Sequence, residues 1–221
     1  MSESRAGTAQ WWQQPWFQLA AAFVVALAIF AWLQPPGLLA DPDSWYHARL
    51  TSMMRDGGLV WEFPWTQASL YRTIFIDHHF LYHALLIPFV SLAPNDLGGL
   101  QLATVLFAAL SATAVAWCLL RWRVPWWGVG MLVLLTSAPF LFRLSLAKAP
   151  SLAIGVALVA YYLITERRLG GLFFWTWFFV WFYSAWPLVV VMTAVFIAVS
   201  ALSKAGSGVK AVVREIWLRP N

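Results

Sequence analysis

Charge is scarce in this chain. Only 10% of its 221 residues are Asp, Glu, Lys or Arg, where soluble globular proteins carry roughly 25%. A water-exposed surface cannot be built from so few ions, so a soluble globular class is excluded and a membrane class is indicated. Cysteine is almost absent: Cys118 stands alone in a hydrophobic run, which rules out an intrachain disulfide and leaves the redox compartment unread. There is no basic stripe. The net charge of +5 comes from Lys and Arg at the ends of apolar runs, so nucleic acid is not an expected partner. A cleavable leader is missing too. The N-terminus is polar and Trp-rich with the single basic residue Arg5, and the apolar run behind it is too long for a signal sequence and has no small-residue cleavage site. It reads as a retained anchor. No internal repeat and no soluble domain is visible.

What the chain has in abundance is uncharged length. A helix needs about 20 apolar residues to cross the ~30 Å hydrocarbon core. Residues 17–40 and 97–120 meet that length without a charge; 125–142 and 149–165 are shorter uncharged runs. The run 171–203 is 33 residues, about 50 Å as helix and too long for one crossing. Pro187 falls near its middle and would break the hydrogen-bond ladder, so two spans hinged there are expected. Pro35 and Pro36 would end or kink the first span. The segment 80–94, FLYHALLIPFVSLAP, is short and contains His83 and Pro88, which favours an interfacial or re-entrant element.

These runs give an all-α, polytopic membrane fold of about six transmembrane helices. With the N-terminus in the cytoplasm and 80–94 not crossing, Arg5, Arg121, Arg123, Arg167, Arg168, Lys204, Lys210, Arg214 and Arg219 lie inside. Arg49, Arg55, Arg72, Arg143 and Lys148 lie outside. That bias agrees with the positive-inside rule; a crossing at 80–94 would put RWR and ERR outside. The expected organisation is a cytoplasmic segment 1–16, a transmembrane domain 17–203 with an outer loop 41–96 containing amphipathic helices, and a basic cytoplasmic tail 204–221. The tail has apolar residues spaced to rest on the inner membrane surface. Trp11, Trp12, Trp16, Trp122, Trp126 and Trp127 flank spans, as interfacial belts do.

Polar chemistry concentrates in the outer loop. All four histidines and six of the nine acids (Asp41, Asp43, Asp56, Glu62, Asp77, Asp96) fall between 41 and 96. In DPDSWYHARL, Asp41 and Asp43 are close enough to share one cation. Hard carboxylate oxygens suit a divalent metal, Mg²⁺ or Mn²⁺, with water and phosphate oxygens completing the shell. The same two acids could instead cap the helix that follows, or one could cap while the other binds metal. That helix, SWYHARLTSMMRDG, is amphipathic by the spacing of His47, Leu50 and Met54 and stops at Gly57-Gly58.

A second cluster is Asp77-His78-His79 with His83. His79 and His83 are four apart and share a helical face. Such a pair can bind zinc, but Phe80 stands where the zinc-protease pattern places Glu. The other readings are structural histidines bonded to backbone or to Asp77, and side chains that orient an anionic substrate. Arg143 and Lys148, in FRLSLAKAPS, sit outside against the charge preference. Either they hold an anionic lipid head group or they snorkel to lipid phosphates.

Together, a first span, D-x-x-Y-H-x-R, an outer amphipathic helix and a multi-span continuation resemble the membrane core of oligosaccharyltransferase catalytic subunits, of the GT-C class of glycosyltransferases. The matching residues are Asp43, Trp45, Tyr46, His47 and Arg49. The resemblance implies transfer from a polyprenyl-phosphate-linked sugar on the outer face of a bacterial or archaeal cytoplasmic membrane. In that family the acid of this motif helps hold the divalent metal and the acceptor. This places Asp43, with Asp41 as an additional candidate, at the catalytic and metal position. Arg49, Arg143 and Lys148 are expected to clamp phosphates, and His47, Asp77, His78 and His79 to line the substrate site.

The match is motif-level over about a quarter of the chain and hydropathic elsewhere. The family's second acidic motif has no counterpart in RLSLAKAPS. The chain is therefore expected to be the N-terminal part of a longer protein or a shortened relative. The competing expectation is a non-catalytic subunit of a larger membrane complex, whose many tryptophans meet protein partners. A transporter or channel is disfavoured, because the expected spans contain no ionisable residue.

Overall fold

The computed structural model describes residues 11–39 and 41–202. Among the described residues it is all helical, with no strand. The expected basic tail 204–221 and most of the N-terminal segment lie outside the described residues. A short 3₁₀ turn, Trp11–Gln13, precedes α1 (Pro15–Leu33). Then follow α2 (Asp43–Gly57), a 3₁₀ turn at Leu70–Arg72, α3 (Phe80–Leu92), α4 (Asp96–Arg121), α5 (Trp127–Leu135), α6 (Ala138–Ser145), α7 (Pro150–Thr165), α8 (Leu169–Phe182) and α9 (Pro187–Leu202).

Proline sets several helix starts. Pro15, Pro150 and Pro187 each occupy a first helical position, where no N–H is needed. Asn95 caps α4 by accepting the Gly98 N–H at 2.7 Å. Gly58, at φ +79°, ends α2 in a conformation only glycine adopts without strain. Pro35 and Pro36 follow the end of α1, as the sequence predicts.

By length and apolarity two helices among the described residues qualify as membrane spans, or three if a bent pair is counted as one. α1 (19 residues) and α4 (26 residues) are long and apolar enough to cross a membrane. The run 125–142 is not one helix. It is divided into α5 and α6, bent by 70° where Thr136 and Ser137 interrupt the ladder, and counts as a third span only if the pair is taken together. α7, α8 and α9 have 16, 14 and 16 residues, about 21–24 Å each and short of the ~30 Å core. The break in 171–203 comes at 183–186, with Pro187 as the first residue of the second helix rather than a hinge inside one. α3, at 13 residues, is too short to cross, as expected of 80–94.

The long helix α4 is the axis of the packing. Phe30, Ala109, Ala112, Met131 and Leu144 join it to α1, α5 and α6. Tyr82, Leu86, Leu100, Phe107, Ala153 and Phe182 join it to α3, α7 and α8. Small residues allow close approach, as they do between membrane helices. Ser111 on α4 donates its hydroxyl to Ser151 O on α7 at 2.7 Å and accepts the Gly155 N–H at 3.1 Å. A Cβ on Gly155 would lie 2.9 Å from the Ser111 backbone. Trp175 of α8 donates to Val156 O at 2.7 Å. These contacts bring the α6–α7 and α8–α9 corners to the same end of the bundle as the starts of α2 and α3.

Candidate functional site

At that end Asp41 and Asp43 meet Lys148. Asp41 accepts the Asp43 N–H at 2.8 Å, so it caps the start of α2. The Lys148 ammonium, carried by the α6–α7 corner, then lies 2.7 Å from each carboxylate. Burial alone would raise the Asp41 carboxyl; its hydrogen bonds from Lys148 and the Asp43 backbone, with the charges of Lys148 and Arg143, outweigh this and hold it below its ordinary value. For Lys148, burial works against the ammonium, but the two carboxylates prevail and raise it. Arg143, by contrast, forms no ion pair among the described residues and lines the adjoining cleft.

That cleft, of about 200 Å³, is bounded by Asp43, His47, His79, Arg143, Lys148 and Tyr183, with Ala149, Pro150 and Ser184. A second cleft of about 370 Å³ shares Asp43, His47 and His79 with it. Tyr46, Phe63, Tyr71 and Phe75 give this second cleft an aromatic wall, completed by Thr66 and His78. One wall is thus cationic and the other aromatic, and the same three side chains stand at the junction.

The histidines are arranged from the core outward. His83, fully buried on α3, bonds through Nδ1 to the Asp77 carboxylate at 2.7 Å. Its Nε2 lies 2.7 Å from Nδ1 of His47 on α2. Asp77 also accepts the His79 N–H at 2.9 Å. With His83 donating Nδ1–H to Asp77, its Nε2 accepts, so His47 donates Nδ1–H and keeps a lone pair on Nε2; the tautomers follow from the network. Burial, with the nearby His83, His79, Lys148 and His78, pushes His47 down to about 2. His79 is pushed down to about 4, chiefly by burial. Its ring stacks on Tyr183 at 5.3 Å between centroids, and its Nε2 is buried without a hydrogen-bond partner.

Of the residues expected from sequence, Asp43, His47, His79, Arg143 and Lys148 converge on the basic cleft, and Asp41 holds Lys148 from beside it. His78 lies on the aromatic cleft. Asp77 stands behind His83, the bonding that one sequence reading anticipates. Arg49 does not join them: it is exposed on α2 and lines neither cleft. The turn away from His47 explains this, since residues two apart on a helix face nearly opposite ways. Sequence reasoning missed the Asp77–His83–His47 connection and the aromatic wall. His47 and His83 are 36 residues apart, and no periodicity links them.

The fit to a metal is poor as the side chains stand. The ammonium of Lys148 takes the place between Asp41 and Asp43 that a cation would need. Among the described residues no group of three His, Cys, Asp or Glu is set to hold an ion. The His79/His83 pair is likewise unsuited to zinc, because both ring nitrogens of His83 are engaged. Comparison with models of protein families, with curated proteins and with solved structures finds no match to this chain.

Proposed function

We propose that the chain is a membrane glycosyltransferase-related protein that transfers a sugar from a polyprenyl-phosphate-linked donor at the outer membrane face. One observation carries this reading: Asp43, His47 and His79 stand where a basic cleft meets an aromatic one. A lipid-linked sugar has those two needs. Its phosphate seeks Arg and Lys, and its sugar ring, apolar on its faces, packs on aromatic rings. The bond to be broken joins the two parts and falls at the junction.

In the transfer, the acceptor's nucleophilic atom attacks the anomeric carbon and a new glycosidic bond forms. The bond from that carbon to the phosphate oxygen breaks, and the phosphate leaves with the electron pair. Arg143, free of any ion pair in the described residues, and Lys148 face the growing charge. Asp43, largely exposed at the cleft mouth, accepts a hydrogen bond from the acceptor and orients it. A divalent ion, Mg²⁺ or Mn²⁺, would add charge neutralisation on Asp43 and Asp41 only after Lys148 has left them.

The full six-span arrangement, in a bacterial or archaeal cytoplasmic membrane with the cleft outside, belongs to the same proposal. Its passes are α1, α4, the α5–α6 pair, α7, α8 and α9. The test is transfer of radiolabelled sugar from polyprenyl-phosphate donors in liposomes containing the protein. Asp43→Asn is expected to lower transfer at least about 100-fold, the scale of a lost acid–base or orienting group. Unchanged transfer removes Asp43 from the mechanism.

A second reading, a non-catalytic subunit of a larger membrane complex, is favoured by the ion pairs that tie Asp41 and Asp43 to Lys148. Purification in mild detergent separates the two: a stoichiometric partner supports the subunit, and an active chain alone supports the enzyme.

A further inference from the structure

We propose that Asp77, His83 and His47 form a proton relay in which His47 Nε2 takes the acceptor's proton and His83, backed by Asp77, carries the resulting positive charge. This rests on the glycosyl-transfer reading of the cleft. Geometry makes the chain continuous: carboxylate to His83 Nδ1 at 2.7 Å, and His83 Nε2 to His47 Nδ1 at 2.7 Å. The outer end, His47, lines both clefts, as His79 does. Its Nε2 is not among the buried polar atoms left without a partner, unlike Nε2 of its neighbour His79. With Nδ1 committed to His83, Nε2 is the nitrogen His47 offers to the cleft.

The protons balance. The acceptor gives its hydrogen to His47 Nε2 while its electron pair forms the bond to the anomeric carbon. His47 then passes its Nδ1 proton to His83 Nε2. His83 becomes a cation beside Asp77, and His47 is neutral again with its proton on the other nitrogen. The relay answers a difficulty that a lone His47 would have. Burial disfavours a cation on that ring, and Lys148 and His79 face it from the cleft walls. Moving the charge one ring inward places it against a carboxylate instead. The other groups around the relay are Tyr46 and Asp43 on α2, Tyr82 beside His83, His78 before α3, Arg143 on α6 and Tyr183 after α8. Among these only Asp43 is acidic, and it is held by Lys148.

Two measurements test it. In protein labelled with ¹⁵N-histidine and held in detergent, NMR of the four imidazoles reports each tautomer directly, and His47→Gln assigns the His47 signals. The expected spectrum has His47 protonated at Nδ1 and bare at Nε2. A protonated Nε2 in active wild-type protein overturns the relay while leaving glycosyl transfer standing. In the transfer assay, Asp77→Asn and His83→Gln are each expected to lower kcat about 100-fold, with KM for the polyprenyl-phosphate donor unchanged within twofold. A fall in KM-based binding with kcat preserved shows a structural role and overturns the proposal. Bare Nε2 in a wild-type protein that transfers no sugar overturns the glycosyl-transfer reading, and with it the relay's catalytic role.

Discussion

Replacing Gly155 with alanine adds one methyl group to the closest crossing in the bundle. The new Cβ would lie 2.9 Å from the Ser111 Cα and 2.9 Å from its Oγ. The first is backbone, so no rotamer change relieves it, and α4 and α7 must move apart. Overpacking of this kind costs about 1–3 kcal/mol. Separation also stretches the Ser111 hydroxyl bonds to Ser151 O and the Gly155 N–H, worth about 1 kcal/mol. Against this, alanine is the better helix former by about 1 kcal/mol. The net expectation is a loss of about 1–3 kcal/mol, or a midpoint lowered by roughly 5 °C in a chain of this size. Cys118 supplies the assay. It is the chain's single cysteine, is fully buried on α4 two turns beyond Ser111, and reacts with a thiol-sensitive fluorophore only when the α4 packing opens. Gly155→Ala should expose it at lower temperature, and Ser111→Ala in the same chain should not restore the midpoint. A midpoint equal to or above wild type would refute the close α4–α7 crossing and, with it, the placement of Lys148 beside α2.

Lys148→Met leaves Asp41 and Asp43 without their shared cation. The cost is at most about 1 kcal/mol because the cluster is partly exposed, but Mg²⁺ should now raise the melting midpoint, an effect small or missing in wild type; no difference between the two proteins would show that Lys148 does not occupy the cation position. Acid should destabilise the chain through its buried imidazoles. His47 and His79 sit at about 2 and about 4 when folded and near 6.5 when unfolded. Between those limits the unfolded state binds more protons, so stability falls as pH drops below about 6.5, by up to about 1.4 kcal/mol per unit for each group. The melting midpoint should therefore decline from pH 7 to pH 5, less steeply in His47→Gln, and a flat profile in wild type would contradict the burial of His47.

Hydropathy was informative about where helices lie and weak about how long they run. The run 97–120 became α4 because nothing inside it interrupts the hydrogen-bond ladder, and 17–40 became α1 as far as Leu33, just short of Pro35 and Pro36. The runs 125–142 and 171–203 carry no charge to mark their breaks. Thr136-Ser137 and the corner at Tyr183–Trp186 are set by packing and by the prolines that follow, which a count of apolar residues does not register. In the site, motif reading found Asp41, Asp43, His47 and His79 because polar side chains cluster in the segment 41–96, and Arg143 and Lys148 because they are the charges between two apolar runs. It placed Arg49 with them on motif membership alone, and helix geometry turns that side chain away. What stayed hidden was pairing at long range. That Lys148 would close on Asp43, 105 residues earlier, or that His83 would hand its ring to His47, depends on α4 holding α3 and α7 at one level.

The shortness of α7 and α8 has a consequence for the lipid around them. In the six-span arrangement proposed above, helices of about 21–24 Å would pass through a bilayer whose apolar slab is ~30 Å deep, and local thinning of the lipid would relieve the mismatch. The corners bearing Lys148 and Tyr183 would then lie in a dimple, with the head groups of the surrounding leaflet drawn down to their level. A phosphate riding on a membrane-anchored carrier would meet Arg143 from the side, without having to rise out of the bilayer first.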